Sequence, residues 1–161
     1  MPSHPLRQAI EARDIDALID TFAPDVVLHS PLISEAFHGR DDVGFLFRTL
    51  ADEYLFTDGF HYTAELAEGD TLVLAFRGPL RGTDVEGVDL FKLNPDGKIR
   101  EVTVFLRPLT GTTAVAKFLS GRIAGRDNRL KGALAGLGTR PLSGMAKLFD
   151  AIGSRDVRAR R

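Results

Sequence analysis

The sequence predicts an α+β domain, with helices laid across one antiparallel sheet. Apolar residues follow helical spacing over residues 6–50. β-rich runs separated by turn signals fill residues 60–106, and a helical pattern returns near residue 112. Helices gathered at one end and consecutive strands at the other define this class. The 161-residue length suits one domain, and 43% hydrophobic with 27% charged residues is the balance of a folded globular chain. A curved sheet wrapped by helices makes a cone with an internal pocket, a concave apolar place for a small ligand.

The elements follow in order. Leu6 to Phe22 reads as helix, with Leu6, Ala9, Ile10, Ile15, Leu18, Ile19 and Phe22 close to helical spacing. The Asp14-Ile15-Asp16 step divides it, Asp14 serves as N-cap of the second piece, and Pro24 ends it. Val26-Val27-Leu28 is a short strand stopped by Ser30-Pro31. Gly39-Arg40-Asp41-Asp42 opens a helix through Leu50, its acidic first turn matched to the helix dipole. Four strands follow: Phe60–Leu66; Thr71–Phe76, ended by Gly78-Pro79; Val85–Leu93; and Ile99–Leu106, closed by Pro108. Gly69-Asp70 and Asn94-Pro95-Asp96-Gly97 are the turns. Thr112 or Thr113 caps a last helix through Val115, Phe118 and Leu119.

The net charge of −1 conceals a division. Residues 1–109 carry ten basic and nineteen acidic side chains, a net −9, whereas residues 110–161 carry eleven and three, a net +8. Composition therefore shifts near Thr110. Cysteine is absent, which excludes disulfides, thiolate metal sites and cysteine nucleophiles. No apolar run is long enough for a membrane-spanning helix. The start, Met1-Pro2-Ser3-His4-Pro5, has no apolar core, so a cytoplasmic location without a signal peptide is expected. The four histidines lack metal-ligand spacing, and there is no phosphate loop, nucleophile elbow or nucleotide fingerprint. No metal and no cofactor are expected.

Four stretches resemble the nuclear-transport-factor-2-like superfamily of cystatin-like α+β cones, the SnoaL-like proteins. They are Ala12 to Val26, with its Asp-Ile-Asp and Phe-Ala-Pro-Asp; Phe37-His38-Gly39-Arg40-Asp41-Asp42-Val43; Gly87-Val88-Asp89-Leu90-Phe91; and Gly97-Lys98-Ile99-Arg100-Glu101-Val102. The resemblance spans roughly residues 6–120 and implies the fold more than the reaction, because the fold hosts enzymes, binders and scaffolds. Its relatives include ketosteroid isomerase, limonene-epoxide hydrolase and the SnoaL-like polyketide cyclases. Similarity to the isomerase places Asp89 at its oxyanion-stabilising aspartic acid, which an apolar site holds neutral. It puts Ser30 where that enzyme has its base and Leu6 near its tyrosine, so steroid isomerisation is not implied. Similarity to the hydrolase calls for an arginine at Gly87 and an aspartate on the strand Glu101-Val102-Thr103-Val104-Phe105, and neither is there.

Asp89 is the leading candidate for chemistry. Alternation puts Asp89, Phe91 and Leu93 on one strand face, and an inward aspartate among apolar neighbours has its pKa raised by desolvation. The alternative is a partner such as Arg77 on a neighbouring strand, or a place in solvent. His29, at a strand end, is the candidate base or orienting group; the alternative is a rim histidine bonded to backbone. Ser30, Tyr54, Phe91, Val102 and Val104 are the expected ligand contacts, although tyrosines and phenylalanines also serve as core. If Val102, Val104 and Leu106 face the pocket, Phe105 faces outward, and the resemblance implies a homodimer through that outer sheet face.

Residues 1–120 are thus expected to form the cone and residues 121–161 a basic, amphipathic helical extension. Leu130, Ala133, Leu134 and Leu137 make one apolar stripe of the extension, and Leu142, Met145, Ala146, Leu148, Phe149 and Ile152 another. Docking on the acidic body, a peripheral membrane contact and a partner-protein contact all fit this pattern. Nucleic acid does not, because the stripes want an apolar surface and the body repels phosphates. The expected function is binding of a small apolar molecule in the cone, with cofactor-independent acid–base isomerisation, cyclisation or hydrolysis. The rival is a non-catalytic dimeric interaction module.

Overall fold

The computed structural model describes residues 3–123. Helices α1 (Pro5–Glu11) and α2 (Ile15–Asp20) open the chain. Pro5 occupies the first helical position, where a missing N–H costs nothing, and His4 Nδ1 accepts from the Leu6 N–H at 3.2 Å. Asp14 caps α2 by accepting from the Ala17 N–H at 2.9 Å. Six strands then form one sheet among the described residues: β1 (Phe22–His29), β2 (Phe37–His38), β3 (His61–Glu68), β4 (Thr71–Leu80), β5 (Thr83–Leu93) and β6 (Ile99–Arg107). Helix α3 (Arg40–Leu50) runs into a π-helical turn, Ala51–Leu55, and α4 (Leu109–Ile123) follows the sheet.

The strand order is β2-β1-β6-β5-β4-β3. Strands β3 to β6 form the expected antiparallel meander. The sheet as a whole is mixed, because β1 runs parallel to β6. The connection from β1 to the meander contains α3, and a long connection of this kind permits parallel pairing where a hairpin does not.

Several boundaries differ from expectation for identifiable reasons. Helix α2 stops at Asp20, and Pro24 lies inside β1. Proline is tolerated there because β1–β6 pairing is irregular between Phe22 and Val27. Strand β4 continues through Gly78-Pro79 to Leu80; β3 pairs with it only as far as Arg77, so Pro79 meets no second neighbour. Helix α4 begins at Leu109 rather than at a Thr112 or Thr113 cap, and the Thr112 hydroxyl instead donates to the Pro108 carbonyl at 3.2 Å. It ends the described residues at Ile123. The two apolar stripes expected in the extension lie outside the described residues.

The sheet's inner face and the helices enclose the core. From the strands it takes Phe22, Val26, Leu72, Leu74, Phe91 and Ile99, and from the helices Leu6, Ile10, Leu18 and Val43. Gly39 enters α3 at φ 86°, a conformation L side chains disfavour, and Asp41 and Asp42 occupy the dipole-favoured first turn. The π-helical turn carries the helical path past Leu50 and buries Tyr54 and Leu55.

Candidate functional site

Strand alternation decides what faces the inside of the cone. On β5, Val85, Gly87, Asp89 and Phe91 are buried, while Asp84, Glu86, Val88, Leu90 and Lys92 take the other face. Between this inner face, α3, the π-helical turn and α4 lies a cavity of about 90 Å³. Leu28, Leu46, Phe47, Leu50 and Val104 are among its apolar walls, and Val115 and Leu119 close it from α4. Ser30 and Pro31 lie on its boundary just past the end of β1.

Asp89 is the carboxylic acid in this lining. It is 8% exposed, and burial alone, with no hydrogen bond from a described group, shifts its carboxyl. Arg77 is exposed and pairs across the sheet with Glu86, so it offers Asp89 no partner. Burial without compensation disfavours the charged form and pushes the carboxyl up to about 7. Near neutral pH the group can therefore give or take a proton. The Tyr54 hydroxyl donates to the Val85 carbonyl at 3.3 Å, and burial, then the Asp89 charge, raise its pKa. The Ser30 hydroxyl oxygen accepts from the Leu32 N–H at 3.1 Å.

Of the residues expected at the site, Asp89, Ser30, Tyr54 and Val104 line the cavity. His29 does not. It follows the inward Leu28 on β1, so alternation turns it to the outer face, where Nε2 lies 3.5 Å from Glu101 Oε1. Phe91 and Val102 share the inner face but are both 0% exposed, paired across β5 and β6 as core. Phe76 and the α4 pair Val115 and Leu119 were not among the expected contacts. The i, i+4 spacing of Val115 and Leu119 is the signal that marks α4 as a wall. Phe76 contributes through a cross-strand neighbour: at Gly87 a Cβ would stand 2.3 Å from Phe76 Cζ, so the ring covers the glycine. Among the described residues, no three histidine or carboxylate side chains converge on a possible metal position.

Among the described residues, an α+β cone thus encloses an apolar cavity that a buried acid faces. Residues 6–102 match the SnoaL-like domain family, and the chain belongs to it. Among solved structures, a steroid delta-isomerase from Pseudomonas aeruginosa is similar at 28% identity and TM-score 0.66, over 73% of this chain and 85% of that one. A protein with a cystatin-like fold from Silicibacter pomeroyi aligns at 25% identity and TM-score 0.68, over 81% and 92%. SalBIII, an epoxide hydrolase/cyclase-like enzyme in pyran ring formation in the polyether salinomycin, shares the fold at 20% identity and TM-score 0.51, over 63% and 84%. No curated protein matches the chain.

Proposed function

We propose that the protein binds a small, oxygen-bearing apolar molecule in the cone, with Asp89 as the proton-transferring group of a cofactor-independent isomerisation, cyclisation or hydrolysis. One observation carries this reading: a buried carboxyl, without a hydrogen-bond partner among the described residues and with its pKa pushed up to about 7 by burial, faces an apolar cavity. As the neutral acid it donates its proton to the ligand oxygen as negative charge develops there. The carboxylate so formed takes a proton back from carbon, hydroxyl or water, which restores the acid. With His29 on the outer face, both transfers fall to Asp89. The similarity to the steroid delta-isomerase supports this class of chemistry. The test begins with native mass spectrometry of the purified protein, to identify a co-purifying ligand. Turnover of that ligand or its precursor is then compared with Asp89→Asn, expected to lose at least about a hundredfold in kcat. Unchanged turnover refutes the assignment.

A homodimer through the outer sheet face is part of this reading. Phe105, 56% exposed, and Leu66, 67% exposed, lie on that face beside Val73 and Val88. Light scattering of the wild type and Phe105→Glu tests it, with a dimer expected only for the wild type.

A further inference from the structure

Two cavities flank one aromatic wall. The Asp89 cavity is bounded on one side by Phe76 and Leu55. A second cleft, about 260 Å³, lies between the end of α1 and the start of β3; Arg13, Asp58, Phe60, His61 and Tyr62 line it, and Leu55 faces both spaces. Phe60 and Phe76 stack with ring centroids 5.6 Å apart and planes 29° apart. Tyr54 packs edge-on against both, at 5.1 and 6.3 Å. Phe76 thus belongs to one cavity and Phe60 to the other, and their stack, with Leu55, is the partition.

Gly87 is what lets the partition stand. It pairs with Phe76 across β4 and β5, two residues before Asp89 on the same inner face. A Cβ there would meet the Phe76 ring at 2.3 Å and the Phe105 carbonyl oxygen at 2.7 Å. The missing side chain makes room for the ring to fold over the strand, where a ligand reaching from Asp89 towards β4 and β3 would have to pass.

We propose that Phe76, seated over Gly87, is a size filter that restricts the Asp89 cavity to short ligands, and that the ligand class is compact monofunctional carbonyl or ether compounds rather than fused-ring molecules. This rests on the proposed function of the same cavity. Volume supports it: the 90 Å³ space is smaller than the engineered apolar cavity of about 150 Å³ that holds benzene, so a fused-ring skeleton is not enclosed beside Asp89. Removing the Phe76 ring opens the space towards the second cleft.

The probe is a series of methyl ketones from butanone to decanone, titrated into the full-length protein and followed by the backbone amide shifts of Asp89 and its strand neighbours. Each methylene buried strengthens binding about fourfold until the cavity is full, after which affinity levels off or falls. Phe76→Ala is expected to move that limit to chains longer by about two carbons or more, and Phe76→Leu, which keeps an apolar side chain in place, by less. If Phe76→Ala does not fold, the Phe76→Leu limit alone decides. An identical limit in the wild type and the folded variants overturns the filter and leaves ligand binding beside Asp89 intact. Absence of ketone-dependent shifts around Asp89 in every protein overturns the proposed function, and the filter with it.

Discussion

Replacing Asp89 with asparagine should change how stability depends on pH. The carboxyl titrates at 3.8 in a free chain and at about 7 when buried beside the cavity. Between those values the unfolded chain has released its proton while the folded protein still holds it. The unfolded state therefore binds fewer protons, and wild-type stability falls as pH rises from about 4 to about 7, then levels off. A tenfold change in an ionisation constant is worth about 1.4 kcal/mol. The shift from 3.8 to about 7 thus corresponds to about 4 kcal/mol of stability, present below the unfolded value and lost above the folded one. Asparagine is similar in size and does not ionise, so the variant loses this dependence. It also introduces a buried amide whose unmet hydrogen bonds cost about 1–3 kcal/mol at every pH. The readout is therefore the slope of the difference rather than its value. Urea unfolding of both proteins from about pH 4.5 to about pH 8 cancels the other carboxylates and should show Asp89→Asn gaining about 3–4 kcal/mol on the wild type across that range. A difference flat to within about 1 kcal/mol means that Asp89 is ionised and solvated in the folded protein, and it removes the physical basis for a neutral acid at the cavity.

Three further substitutions test particular contacts. Gly87→Ala should destabilise by about 1–3 kcal/mol in urea, because the new methyl overlaps the Phe76 ring and the Phe105 carbonyl. Asp14→Ala removes the cap of α2 and should lower the urea-derived stability by about 1 kcal/mol. His29→Gln should leave ketone affinity and any turnover within about twofold of wild type, since its side chain lies on the outer face beside Glu101; a loss beyond tenfold would return His29 to the site.

Local signals were enough for most elements. Asp14 as a cap, the Gly39 helix start and the Asn94-Pro95-Asp96-Gly97 turn each act within a few residues, and each appears where the sequence places it. Period-two alternation puts Asp89 and Phe91 on one strand face, and the structure turns that face inward and Phe105 outward. The parallel β1–β6 pairing was not legible in this way, because it joins residues far apart in sequence. The site divided along the same line. Asp89, Ser30, Tyr54 and Val104 reach the cavity, whereas His29, at the strand end, follows the inward Leu28 and is turned outward by alternation. The role of Phe76 depends on the empty space at its cross-strand neighbour Gly87, and no window along a single strand reveals that pairing.

One cross-strand row holds two carboxyl groups in contrasting surroundings. Glu65 on β3 pairs with Leu74 on β4, Leu74 with Asp89 on β5, and Asp89 with Val104 on β6. Both acids stand on the inner face of the same sheet, yet their surroundings differ. Glu65 accepts from the His4 backbone N–H at 2.7 Å and from Arg7 Nη1 at 3.2 Å, so its charge fastens α1 to the sheet edge. Asp89, two strands further in, has neither a cation nor an N–H among the described residues and faces the cavity instead. A buried polar group without a partner is costly, and a leucine in its place would pack at no such cost. The position therefore lowers stability at neutral pH without making a fold contact in return. In the proposed function, a ligand oxygen in the cavity supplies the partner that the protein withholds, and the same burial raises the carboxyl towards the pH at which proton transfer is easiest.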